Sequence, residues 1–79
     1  MTVTEQKILD GLQRIIEEVT GIPATNVTPE SSFVDDLDID SLSMVEVALA
    51  AQEEFGVEIP DERLKELRTV KDAVAFIQG

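Results

Sequence analysis

The sequence contains no cysteine, no histidine, no tyrosine and no tryptophan. Without cysteine there can be no disulfide and no thiolate metal site. Without cysteine or histidine, the usual nucleophile and base of an acyl-transfer enzyme cannot be assembled. The three aromatic residues are all phenylalanine, which leaves few side chains to line a sugar groove between two carboxylates. We therefore expect a protein that is not an enzyme.

Long apolar runs and basic residues are also scarce. No run approaches the roughly 20 apolar residues of a membrane-spanning helix, and the first residues lack the features of a secretory signal. Six Lys and Arg residues stand against 17 Asp and Glu residues, for a net charge of −11. Nucleic acid and anionic membrane are therefore unexpected partners, and basic protein surfaces are the natural complement. We expect a cytoplasmic monomer.

The acidic residues are concentrated in the middle of the chain. No Lys or Arg occurs between Arg14 and Arg63, and that stretch contains Glu17, Glu18, Glu30, Asp35, Asp36, Asp38, Asp40, Glu46, Glu53, Glu54, Glu58, Asp61 and Glu62. Acidic helix faces often serve solubility alone. The charge distribution by itself therefore leaves open whether this region binds a partner.

Hydrophobic periodicity predicts an all-α fold, a four-helix bundle with a long loop between the first two helices and a short third helix. The predicted helices run from about Thr4 to Val19, from about Ser41 to Phe55, from Pro60 to near Leu67, and from Thr69 to about Ile77. A chain of 79 residues encloses one modest core, so we expect a single domain over residues 1–79. Thr2 with Glu5, and Thr69 with Asp72, are candidate capping boxes.

The predicted loop spans about Thr20 to Ile39. Proline, asparagine and serine interrupt any periodicity there, and a short helical turn is expected near Ala24 to Val27. A loop of this length is unusual in a small domain. We expect it to be ordered, because it contains several apolar side chains that can pack onto the helices: Ile22, Val27, Phe33, Val34, Leu37 and Ile39.

The second predicted helix is apolar around more than half of its circumference. One face is predicted to hold Leu42, Val45, Ala48, Leu49 and Phe55, and Met44, Val47 and Ala51 widen it. Such a helix must contact neighbours on two sides. Asp38 and Asp40 are candidate N-caps, and Gly56 is the expected terminator.

The spacing Asp36-Leu37-Asp38-Ile39-Asp40 resembles the opening of a calcium loop. The match then fails, because the sixth position is Ser41 where glycine is needed and the twelfth is Val47 where a bidentate Glu is needed. We expect no specific metal site, although loose divalent binding to the acids stays open.

Ser41 begins the second predicted helix, between acids and without a base that could activate it. Chemistry at this hydroxyl would need a base and a metal from another enzyme, so Ser41 would be a modification site. The helix start suits a phosphate, because its free N–H groups and dipole favour an anion. A serine in this position is more commonly a simple cap, so local sequence leaves both interpretations open.

Asp40-Ser41-Leu42 resembles the Asp-Ser-Leu motif of the acyl carrier protein family. The resemblance extends over essentially the whole chain, through Ser32-Phe33-Val34-Asp35-Asp36-Leu37, Glu53-Glu54-Phe55, Val57-Glu58-Ile59-Pro60-Asp61-Glu62 and Thr69-Val70. Within this family, the sequence looks most like the discrete carriers of actinobacterial type II fatty acid synthesis. Polyketide carriers share the motif and remain an alternative, as does an acidic interaction or ion-binding module of another class.

The resemblance implies that a carrier-protein synthase, a phosphopantetheinyl transferase, attaches 4′-phosphopantetheine from coenzyme A to Ser41. Acyl chains would travel on this arm as thioesters between a malonyl transferase, a ketosynthase, reductases and a dehydratase. Their basic patches would dock on Asp35, Asp36, Asp40, Leu42, Met44, Glu46, Glu53 and Glu54. The implied acyl pocket is lined by Phe33, Val45, Leu49, Ile59, Leu64, Leu67 and Val74, which ordinary core packing explains equally well.

Two positions depart from the common pattern of this family. Ser43 stands where many members have Asp, and it places a second hydroxyl near Ser41. Asp38 stands where many members have Gly.

Overall fold

The computed structural model of the protein describes residues 3–79. Its helices are α1 (Val3–Thr20), α2 (Ser41–Phe55), α3 (Asp61–Leu64) and α4 (Val70–Gln78), and a 3-10 turn (Ala24–Asn26) lies between α1 and α2. Residues 3–79 contain no β-strand, so the predicted all-α fold with a long first loop and a short third helix is confirmed. The capping box predicted around Thr2 lies outside the described residues.

Helix α1 buries large apolar side chains along one face. Ile8, Leu12, Ile15 and Ile16 recur at helical spacing, and each is at least nine-tenths buried. The helix ends where Gly21 adopts a left-handed φ of 81° and its N–H donates to the carbonyl of Glu17 at 2.8 Å. Helix α1 packs against both α2 and α4.

Helix α2 has the predicted bounds, and Asp40 is its N-cap. The Asp40 carboxylate accepts a hydrogen bond from the N–H of Ser43 at 2.8 Å. Gly56 ends the helix with a left-handed φ of 66°. The helix packs against α1 and α3, so the expectation of neighbours on two sides is confirmed. The Phe55 ring lies so close to Gly11 that a Cβ atom on residue 11 would come within 2.5 Å of it.

The predicted core face of α2 is wrong at three positions. Leu42, Val45 and Leu49 have exposed fractions of 69%, 38% and 56%. The buried residues are Val47, Ala48 and Ala51. Because α2 is apolar over a wide arc, periodicity could not identify the side that faces α1. The structure uses the side with small residues, which allows the two helices to approach closely.

Helix α3 ends at Leu64, three residues before the predicted end. The N–H groups of Glu66 and Leu67 donate to carbonyls only three residues earlier, at 2.9 and 3.2 Å. The chain thus tightens into turns that cannot continue as an α-helix. Helix α4 begins after Thr69, and the predicted capping box between Thr69 and Asp72 is present.

The long loop is ordered as predicted, with Val27, Phe33, Leu37 and Ile39 buried. Val34 is the exception, because 63% of it is exposed. Three backbone hydrogen bonds of 2.9 to 3.0 Å join the loop to the start of α4 and the residues before it. The N–H of Val70 donates to the carbonyl of Ser31, that of Lys71 to Pro29, and that of Phe33 to Arg68. The loop therefore has a fixed position beside the link between α3 and α4. No helix in residues 3–79 combines the length and apolar character that crossing a membrane requires.

Candidate functional site

A capped turn leads into α2. The hydroxyl of Ser32 accepts the N–H of Asp35 at 3.2 Å, and the carboxylate of Asp36 accepts the N–H of Ser32 at 2.7 Å. The turn ends at Asp38, whose φ of 53° is left-handed and whose N–H donates to the carbonyl of Val34 at 3.1 Å. This conformation is one that glycine adopts without steric cost, so the structure explains why a glycine would suit position 38.

Ser41 is the first residue of α2, and its side chain is exposed. Within residues 3–79, no hydrogen bond engages its hydroxyl, and the backbone N–H groups of Ser41 and Leu42 have no acceptor. These groups form an open helix N-terminus beside a free hydroxyl. Such an arrangement fits a phosphoester at Ser41, because the N–H groups and the helix dipole stabilise an anion.

The second hydroxyl, on Ser43, is in a different environment. Its backbone N–H donates to the Asp40 carboxylate at 2.8 Å, and hydrogen bonding from Ser43, chiefly from this N–H, holds the pKa of Asp40 below its usual value. Ser43 is also less exposed than Ser41. The cap of α2 therefore engages Ser43 and leaves Ser41 accessible.

The structure places all six acids of the predicted docking surface on the outside: Asp35, Asp36, Asp40, Glu46, Glu53 and Glu54. Leu42 is exposed among them, whereas Met44 is half-buried and packs against the core. Asp36 also has a structural role, because its carboxylate caps the turn at Ser32. The remaining carboxylates lie along or just before α2.

An open groove of about 830 Å³ begins at Ser41 and runs toward the link between α3 and α4. Its apolar lining consists of Phe33, Val34, Met44, Val45, Leu64 and Leu67, and its charged lining consists of Asp35, Asp61, Lys65 and Arg68. Sequence reasoning missed Lys65 and Arg68. The clustering of basic residues in the sequence could have identified them, because four of the six lie at positions 63, 65, 68 and 71.

A second, internal cavity of about 20 Å³ lies deeper in the bundle. Four of the predicted pocket residues line it, namely Phe33, Ile59, Leu64 and Leu67. Val74 is buried but lines neither space, Val45 lines only the groove, and Leu49 lines neither. Phe33, Met44, Leu64 and Leu67 border both spaces and so form the partition between them. The internal cavity has room for about one water, so an acyl chain could enter only if this partition moved.

The aspartates at positions 36, 38 and 40 do not converge. In the part of the chain that the structure describes, no group of three acidic side chains is placed to hold a metal ion. Asp36 and Asp40 each cap a backbone N–H instead.

Comparison with known proteins gives consistent matches. A family model described as a phosphopantetheine attachment site matches residues 10–77. An acyl carrier protein of Thermobifida fusca is 65% identical over 78 residues, which cover 99% of both chains. A meromycolate extension acyl carrier protein of Mycolicibacterium smegmatis is 63% identical over 99% of this chain and 79% of its own. An acyl carrier protein of Acidothermus cellulolyticus is 60% identical over 98% of this chain and 92% of its own.

Proposed function

Because the chain belongs to the acyl carrier protein family, we propose that Ser41 holds its prosthetic group and that its cargo is a growing acyl chain of fatty acid synthesis. Membership of the family makes the protein a carrier and not an enzyme, with 4′-phosphopantetheine as its covalently attached prosthetic group. The arm supplies the thiol that holds the acyl group as a thioester.

The open helix start at Ser41 is the observation that carries the assignment of this residue. Ser41 is exposed and its hydroxyl is unengaged, whereas Ser43 is half-buried and its N–H holds the Asp40 cap. Ser41 lies at the mouth of the groove, so an arm attached there has a surface along which to lie. The modifying transferase must supply the base, since neither histidine nor cysteine is present in the chain.

The fatty acid pathway is supported by the names of several relatives. The carrier of Mycolicibacterium smegmatis, and that of Mycobacterium tuberculosis at 62% identity, are named for meromycolate extension. A polyketide carrier is the alternative, because the attachment chemistry is the same for both cargoes. Identification of the acyl groups on protein purified from its own cells would distinguish the two pathways.

Docking to partner enzymes is assigned to the acids around α2 together with an exposed apolar strip, Leu42, Val45 and Leu49. The strip follows helical spacing, and all three side chains are at least 38% exposed. Basic patches on the phosphopantetheinyl transferase, malonyl transferase, ketosynthase, reductases and dehydratase would meet the acids, and the strip would add apolar contact. Charge-steered docking is fast and salt-sensitive, and easy release suits a carrier that visits several enzymes.

Mass spectrometry tests the attachment site. We expect incubation with coenzyme A, Mg²⁺ and a phosphopantetheinyl transferase to add about 340 Da. Ser41→Ala should abolish this gain, and Ser43→Ala is the matched control, which should keep it. A mass gain on Ser41→Ala, or none on the unaltered chain, would contradict the proposal.

A further inference from the structure

The basic residues of this acidic chain are unevenly distributed. Four of six lie between positions 63 and 71, at the link between α3 and α4. All four are exposed. Two of them, Lys65 and Arg68, line the groove that begins at Ser41. The groove therefore has two cationic side chains in its lining, together with the acids Asp35 and Asp61.

Neither groove cation forms an ion pair within 4 Å among the described residues. Among the residues that the structure describes, the one ion pair within 4 Å joins Arg63 to Glu66. Asp35 and Asp61 also line the groove, but neither forms an ion pair with Lys65 or Arg68 at that distance. The two cations thus retain their capacity to bind an anion.

The backbone holds Arg68 in place. Its carbonyl accepts the N–H of Phe33 at 3.0 Å, and its own N–H donates to the carboxylate of Asp72 at 3.3 Å. Arg68 is therefore anchored to the loop on one side and to the start of α4 on the other. Its side chain therefore starts from a fixed point on the groove wall.

We propose that Lys65 and Arg68 form a subsite for the terminal carboxylate of a dicarboxylic acyl group, such as malonyl or succinyl, carried on the arm. This inference rests on the attachment of the arm to Ser41. The apolar lining of the groove accommodates uncharged acyl chains, but a carboxylate cannot leave water for such a surface without a partner. The two cations offer that partner at the groove's edge.

The tether makes a weak contact sufficient. An exposed ion pair is weak in isolation, but the arm confines the carboxylate near the groove at an effective concentration in the millimolar range. The phosphodiester of the arm is the other anion that could reach these cations. It is anchored at Ser41, where the free N–H groups of α2 already favour it, so the distal carboxylate is the better match for residues 65 and 68.

The test uses the full chain loaded with [13C]malonyl-phosphopantetheine by a phosphopantetheinyl transferase, with loading at Ser41 verified by mass. The readout is the pKa of the malonyl carboxylate from 13C NMR titration. We expect Lys65→Gln with Arg68→Gln to raise this pKa by roughly 0.3 unit, a twofold change in proton affinity. The matched control, Lys7→Gln with Lys71→Gln, removes the same amount of charge outside the groove. It should change the pKa of the malonyl carboxylate much less.

A second measurement uses the unaltered protein, so it does not depend on whether the variants fold. The 15N shift of the Arg68 Nε should differ between malonyl-loaded and butyryl-loaded carrier, because only malonyl has a free carboxylate. Equal pKa changes in the two double variants would overturn the subsite. An Arg68 shift that is the same for both cargoes would also overturn it, by assigning the contact to the phosphodiester. Absence of any mass gain would contradict the attachment at Ser41 and this inference together.

Discussion

Helices α1 and α2 place their large apolar side chains in opposite environments. In α1 the Ile and Leu residues point inward, and Ile16 is completely buried. In α2 the buried residues are Val47, Ala48 and Ala51, while Leu42 and Leu49 are mostly exposed. An exposed leucine adds nothing to the core, and a row of them beside carboxylates is typical of a contact surface. The difference fits a stabilising role for α1 and the docking role that we propose for the outer face of α2.

The largest effect that tests this comparison is expected in α1. Ile16→Ala should lower the free energy of unfolding by about 2–5 kcal/mol, because it removes buried methyl groups and leaves a cavity. Ile16→Val should cost only about 0.5–1.5 kcal/mol and keeps the measurement possible if the alanine variant does not fold. Urea denaturation followed by circular dichroism measures both. A loss below 0.5 kcal/mol for Ile16→Ala would remove the distinction between the helices.

An intermediate effect is expected in α2, on docking and not on stability. Leu49→Ala should change the free energy of unfolding by less than about 0.5 kcal/mol, because the side chain is 56% exposed. It should lower kcat/KM for arm attachment by the phosphopantetheinyl transferase about fivefold. Ile16→Val is the control with the opposite expected result: it should be less stable, and its kcat/KM for arm attachment should be unchanged. If Leu49→Ala lost stability and kept its kcat/KM, the assignment of Leu49 to the docking strip would be wrong.

The smallest effect concerns the turns beside the two helices. Helix α1 is followed by Gly21 at a φ of 81°, whereas the turn before α2 ends at Asp38 with a φ of 53°. Asp38→Gly should stabilise the fold by about 0.5 kcal/mol, because glycine adopts this conformation freely. Asp38→Asn removes the same charge but keeps a side chain, so it separates backbone strain from repulsion between acids. Equal melting temperatures for the two variants would assign the whole effect to charge.

Much of the site could be predicted from local sequence. The bounds of α2, its glycine terminator and the capping box at Thr69 depend on residues within a few positions of one another. Local sequence could not show that Asp40, and not Asp38, is the N-cap. Both residue positions can cap, and only the fold shows that position 38 has a left-handed conformation. The groove could not be predicted from local sequence either, because Ser41 and Arg68 come to line one groove only when the loop pairs with the start of α4.

Short-range patterns were enough to identify the helical fold and the family, namely helix periodicity, caps and the Asp40-Ser41-Leu42 motif. The tertiary structure decided which side of α2 is buried, and it exposed Leu49 while it covered Ala48. It also divided the predicted pocket residues between an internal cavity, a surface groove and neither. The physical reason is that burial depends on which neighbouring helix approaches most closely, and this is a property of the whole packed bundle.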